Sequence, residues 1–156
     1  MGLNVIYTQT VTMFTRHHET VNGVEKLYWY PTVIPSVHLV ANRAKIISMY
    51  GELCQDNVLL HVRYAPNGAD AVVAGKTYVK PLVYAGMQDV SNYITFNMGD
   101  NFDFFMEGDW GSTTSIDDDT YSSGFFDYMN HSRDHVWAVS NCTQYFLLPH
   151  FELTGR

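Results

Sequence analysis

The sequence predicts a mainly β fold: a small barrel or sandwich of about seven to nine short strands, with a long acidic loop and one short helix. Three observations lead there. Aromatic residues make up 15% of the chain and are joined by many Val, Ile and Thr, side chains that pack well on a pleated surface. Several short segments alternate with a period of two, as half-buried strands do. Turn-forming pairs and triplets such as Asn22-Gly23 and Pro66-Asn67-Gly68 separate them at short intervals. With 46% apolar and 16% charged residues, the 156-residue chain can bury one core, so residues 1–156 read as a single domain.

Residues Val5 to Thr15 place Thr8, Thr10 and Thr12 on one face and Tyr7, Val11 and Met13 on the other. Asn22-Gly23 follows, and because both residues tolerate positive φ the pair predicts a tight hairpin turn. The returning strand covers Val24 to Val33. Pro31, which has no N–H to donate, is expected at an edge or at the strand's end. Pro35 should break the run, leaving Ser36 to Val40 as a further short strand. Ala41 to Leu53 is compatible with a helix or with a loop crossing. Asn57 to Tyr64 reads as a strand closed by Pro66-Asn67-Gly68, and Tyr78 to Tyr84 as an extended run around Pro81. Tyr93 to Phe96 and Phe102 to Met106 read as a hairpin about Met98-Gly99-Asp100. From Glu107 to Tyr128 the composition turns polar and acidic, with Asp117-Asp118-Asp119 at its centre. A short helix over Phe125 to Arg133 and strands over Val136 to Ser140 and Pro149 to Thr154 complete the set.

The charge balance narrows the function. Nine basic against sixteen acidic residues leave a formal charge of -7, the opposite of the basic stripe that gripping a duplex requires. The start of the chain shows neither a basic region nor a long apolar run, so no secretion signal or membrane span is expected. Cys54 and Cys142 lie far apart, and whether they pair stays open; two reduced thiols suit assembly in a cytosol.

Candidate chemistry is sparse. His17 and His18 are adjacent, so on a strand they face opposite sides. His131 and His135 have a helical ligand spacing, but Val136 begins a strand and the glutamate of a zincin-type motif is missing. Neither cysteine sits in a local nucleophile signature, and no Gly-x-Ser-x-Gly elbow occurs. Asp117, Asp118 and Asp119 lack the spaced ladder of a calcium loop. The aromatic run from Phe102 to Tyr128 carries carboxylates where a base-stacking platform would carry cations. The expectation is therefore a non-enzymatic chain with no metal and no cofactor.

Several segments together resemble a known family. They are Thr10-Val11-Thr12-Met13-Phe14-Thr15-Arg16, Trp29-Tyr30-Pro31-Thr32-Val33-Ile34, Tyr78-Val79-x-Pro81 and Ile94-Thr95-Phe96-x-x-Gly99-Asp100, followed by Val136-Trp137-Ala138-Val139-Ser140. The chain ends on Leu148-Pro149-His150-Phe151-Glu152-Leu153-Thr154-Gly155-Arg156. This order resembles small tailed-phage head–tail joining or minor capsid proteins, which are similar to head-closure (stopper) proteins. The resemblance spans nearly the whole chain; the segment from Glu107 to Tyr128 departs from it by its length.

The resemblance implies a β-barrel that forms a ring, on the order of six or twelve copies, in the neck of the virion, assembled in the host cytoplasm. Such a ring closes the portal and adaptor channel above and meets a tail-terminator or tail protein below, and packaged DNA passes through it without sequence-specific binding. Asp117, Asp118, Asp119, Tyr121, Phe125, Phe126 and Tyr128 are then the expected subunit-contact or channel-loop residues. The alternatives are a tail-terminator or tail-tube-like ring protein, and a small β-barrel carbohydrate-binding module.

Overall fold

The hairpin expected at Asn22-Gly23 forms the longest element of the structure. A computed structural model describes residues 7–51 and 56–156. Strand β1 (Gln9–Val21) turns at Asn22 and Gly23, both at positive φ (53° and 79°), into β2 (Val24–Val40). The two pair antiparallel from Val21↔Val24 down to Gln9↔Val37. Next come α1 (Arg43–Tyr50), β3 (Val58–Arg63), β4 (Ala65–Asn67), β5 (Asp70–Val73), β6 (Lys76–Tyr78), α2 (Pro81–Ala85) and β7 (Tyr93–Ile94). The chain ends with β8 (Phe104–Glu107), β9 (Ile116–Asp117), α3 (Phe125–Ser132), β10 (Val136–Tyr145) and β11 (His150–Gly155).

Six antiparallel strands close into a barrel in the order β1-β8-β10-β11-β3-β2, with β1–β2 as the closing pair and β9 added beside β2. The remaining strands form a separate four-stranded sheet, β4-β5-β6-β7. Its inner residues Ala71, Val73 and Ile94, with Phe96 just beyond, share one core with Val11, Met13, Leu60, Val62, Phe105, Trp137, Phe151 and Leu153 of the barrel interior. The small sheet therefore packs onto the barrel's own core.

A second core lies on the barrel's outer face. Alternation along β1 sends Val11 and Met13 inward and Phe14 outward, and in β8 Phe105 points in while Phe104 and Met106 point out. Phe14, Trp29, Phe104 and Met106 are sealed by Trp110, Ile116, Tyr121, Phe125, Phe126 and Met129, all from the segment that follows β8.

Several expectations are corrected. Pro31 lies inside β2, opposite Phe14, not at the strand's end but on a locally unpaired edge, the other place expected for it. It is tolerated because β2 pairs with β9 at residues 28–29 and with β3 at residues 38–40, leaving the stretch between without a partner strand on that side. In a strand the N and C=O of one residue point the same way, and the Pro31 carbonyl faces Lys76 Nζ, 3.5 Å away, in that gap. Pro35 does not end the strand either. It introduces a bulge, with Ser36 at φ 56°, after which β2 bends to pair with β3.

Residues 81–85 are helical rather than extended, because Pro81 at the first helical position already has the required φ and lacks only an N–H that would have no partner there. Met98-Gly99-Asp100 does not close a hairpin: β7 belongs to the small sheet and β8 to the barrel. The strand count also exceeds the expected range, eleven among the described residues, because several have only two or three residues. Among the described residues there are three α-helices, α1 where a helix or a loop crossing was expected and α2 beside the expected α3, and two single 3₁₀ turns.

Candidate functional site

The acidic segment reads as a polar loop too poor in apolar residues for a core of its own; in the structure it is folded onto the outer core. Thr12 Oγ1 donates to Gly108 O (2.8 Å) and accepts from Trp110 N (3.0 Å), which anchors the start of the segment to β1. Ile116 and Asp117 pair with Trp29 and Tyr28 of β2. Asp117 binds the Lys26 ammonium, which holds its carboxyl below the usual range. Asp118 Oδ1 accepts from the indole N–H of the buried Trp29 (2.9 Å) and from the backbone N–H of Phe125 (2.8 Å). Asp118 thereby does for α3 what a capping side chain would do, since the residue before that helix is Gly124. Asp119 is exposed.

The aromatic residues expected at contacts divide between packing and surface. Phe125 is wholly buried, in ring contact with Phe14, Phe104, Trp110 and Tyr121. Phe126 is half-buried against Phe102 and Phe104. Tyr121 is half-buried and packs at a tilt against Tyr128, which is exposed. Of the seven expected contact or channel residues, Asp119 and Tyr128 are exposed, and Phe125 is committed to the outer core.

Two buried polar groupings lie where β1 runs past the end of β8. Asp103 is fully buried and accepts from Arg16 N (2.9 Å), Asn97 N (2.7 Å) and Asn97 Nδ2 (2.9 Å). Burial pushes its carboxyl up to about 7, against the pull of those donors and of the Arg16 guanidinium. Arg16 itself lies over Trp29 and Phe102 and donates from Nε to Phe102 O (2.8 Å). On the other face of β1, His17 Nδ1 meets Glu19 Oε2 (3.0 Å), and the same oxygen accepts from Tyr30 OH. A carboxylate that orients a histidine suggests acid–base chemistry. The opposite nitrogen, Nε2, however, is buried with no hydrogen-bond partner among the described residues, so no nucleophile is engaged.

The most conspicuous surface feature is the β10–β11 turn. Phe146, Leu147 and Leu148 are 75%, 96% and 62% exposed, three consecutive large apolar side chains in solvent. A second exposed pair, Leu82 and Val83, lies on α2 beside a cleft lined by Arg16, His17, His18, Tyr84, Asn97 and Asn101. No family model matches the chain, and neither a curated protein nor a solved structure matches it.

One group of described residues could hold a metal ion: His61, His150 and Glu152. The histidine pairs weighed from the sequence, where no metal was expected, are not part of it. His17 is buried while His18 is half-exposed on the opposite face, and α3 ends at Ser132, so His131 and His135 do not share a helix. Sequence reading missed the observed group because β3 and β11 are far apart in the chain. The one local signal was His150-x-Glu152, a spacing that puts both side chains on one face of a strand. Burial and the neighbouring His38 and His150 lower the His61 pKa, against the opposing effect of Glu152. Cys142 is half-buried against the barrel core, and burial pushes its thiol up to about 12; Cys54 lies outside the described residues.

Proposed function

We propose that this chain is a structural protein of the tailed-phage neck, a ring-forming subunit that closes the portal and adaptor channel and joins head to tail. The observation that carries the ring is the Phe146-Leu147-Leu148 turn, an apolar tip of a kind that soluble monomers rarely leave uncovered. The six barrel strands are closed on one another, so side chains on projecting turns offer a means of contact that needs no barrel edge. Leu82 and Val83 on α2 supply a second, different patch, and two unlike patches in head-to-tail contact generate a ring when the rotation between copies closes. The resemblance in sequence order supports the head–tail joint as the position of such a ring. The net charge of -7 suits a channel past which DNA moves without adhering.

Negative-stain microscopy and native mass measurement of the purified protein, alone and with tail-less connector particles, test the reading. Rings that cap the connector are expected, and Leu147→Asp should return the protein to monomers with its fold intact. A wild-type protein that stays monomeric and ignores connector particles overturns the proposal. Rings that bind only tail tubes would favour a tail-terminator role instead.

A further inference from the structure

His61 on β3 stands directly opposite Glu152 on β11, and His150 lies two residues before Glu152 on the same face. The alternate residues Leu60, Val62, Phe151 and Leu153 fill the barrel interior, so the three polar side chains form the outward set. Their donor atoms all lie within 4.8 Å of one another. His150 Nδ1 is 2.6 Å from the carbonyl oxygen of Leu148. A carbonyl only accepts, so Nδ1 carries the proton and Nε2 presents its lone pair, as a ligating imidazole requires.

That Nε2 lies 3.9 Å from Glu152 Oε2, too far for a hydrogen bond. The two ligand atoms of a tetrahedral ion with bonds of about 2.0–2.1 Å sit ~3.3 Å apart, so small side-chain rotations would close the set. Burial separates this group from the exposed histidines near carboxylates, and the more deeply buried His17, beside Glu19, belongs to no such group of three among the described residues. His150 and Glu152 are 19% and 23% exposed, whereas His18, His131 and His135 are 51%, 74% and 61% exposed.

We propose that His61, His150 and Glu152 bind one divalent transition-metal ion of the zinc class. Two imidazoles and one carboxylate suit such an ion and not calcium or magnesium, which take oxygen ligands. The fourth position falls to water or to His38, the residue opposite His61 on β2, whose ring centroid is 5.5 Å from that of His61. The ion would tie β3 to β11. Through the His150–Leu148 hydrogen bond and the stacking of Tyr145 on His150 (4.7 Å between centroids), it would also hold the apolar turn in one conformation. The metal site stands whether or not the chain forms rings.

The test uses the full-length protein, stripped with a chelator and titrated with Co²⁺ and then with Zn²⁺, read by calorimetry and by visible absorption of the cobalt form. One ion per chain is expected, with the intense absorption of a tetrahedral cobalt site. His150→Ala and Glu152→Ala should each weaken binding by more than about 100-fold, beyond the usual cost of losing an outer-shell partner. A His18→Ala/His131→Ala double variant should bind as the wild type does. Absence of saturable binding by the wild type, or affinity unchanged in His150→Ala and Glu152→Ala, overturns the proposal. Should those variants fail to fold, acylation of the wild type decides: Zn²⁺ must protect His61 and His150, and their equal modification with and without the ion refutes the site.

Discussion

Replacing Asp118 by alanine should loosen the entire covering of the outer core. Its Oδ1 accepts two hydrogen bonds, one from the indole N–H of Trp29, which is 1% exposed, and one from the backbone N–H of Phe125. A buried donor left without its acceptor costs about 1–3 kcal/mol. Loss of the equivalent of a helix cap adds about 1 kcal/mol. Together these put Asp118→Ala at about 2–4 kcal/mol, or roughly 5–15 °C in melting temperature for a domain of this size. Asp118→Asn keeps an Oδ1 in the same place and should lose about 1 kcal/mol or less. Urea unfolding of the wild type, Asp118→Ala, Trp29→Phe and the double variant completes a cycle, in which the pair should couple by about 1–2 kcal/mol. Coupling below about 0.5 kcal/mol, or an Asp118→Asn variant as weak as Asp118→Ala, would refute the clamp.

Gly155→Ala should destabilise through space alone, because a Cβ there would meet Ala138 O at 2.8 Å, Val58 Cγ1 at 3.0 Å and Trp137 Cβ at 3.2 Å. The expected cost is about 1–3 kcal/mol as a lowered urea midpoint, and an unchanged midpoint would show that the β10–β11 seam yields. Asp103 binds its proton more tightly folded, with its carboxyl up to about 7, than unfolded, near 3.8. Its contribution is therefore intact below the unfolded value and is lost as pH rises toward the folded one. Relative to Asp103→Asn, wild-type stability should fall by on the order of 4 kcal/mol between the two, then level off; a flat difference across that range refutes it. Cys142, its thiol pushed up to about 12, should react slowly with maleimide at mildly alkaline pH until denaturant is added. Rapid labelling of the folded protein at Cys142 would contradict its burial.

The β class and the first hairpin were legible because Asn22-Gly23 and period-two alternation are local signals. The strands over residues 58–63 and 150–155 and the helix over residues 125–132 were legible for the same reason. What was hidden depends on tertiary partners. Pro31 reads as a strand end or an edge residue, and only the gap beside it, filled by Lys76, decides for the edge. The Asp-rich segment reads as solvated because its carboxylates are conspicuous. Its few apolar residues, Trp110, Ile116, Tyr121 and Phe125, are enough to cover a face that β1 and β8 have already made apolar. The histidine group could not be assembled from spacing, since it exists only through the register of β3 on β11.

Strand β8 is apolar on both sides, with Phe104 and Met106 turned to one core and Phe105 to the other. A slip of one position would still bury greasy side chains on each side, so hydrophobicity alone selects its alignment poorly. The polar groups at its two ends make the choice. Asp103 can satisfy Arg16 and Asn97 in only one frame, and Gly108 must meet Thr10 and Thr12 in that same frame. A desolvated acid that weakens the native state near neutrality is, on this view, what keeps the strand from settling one notch away.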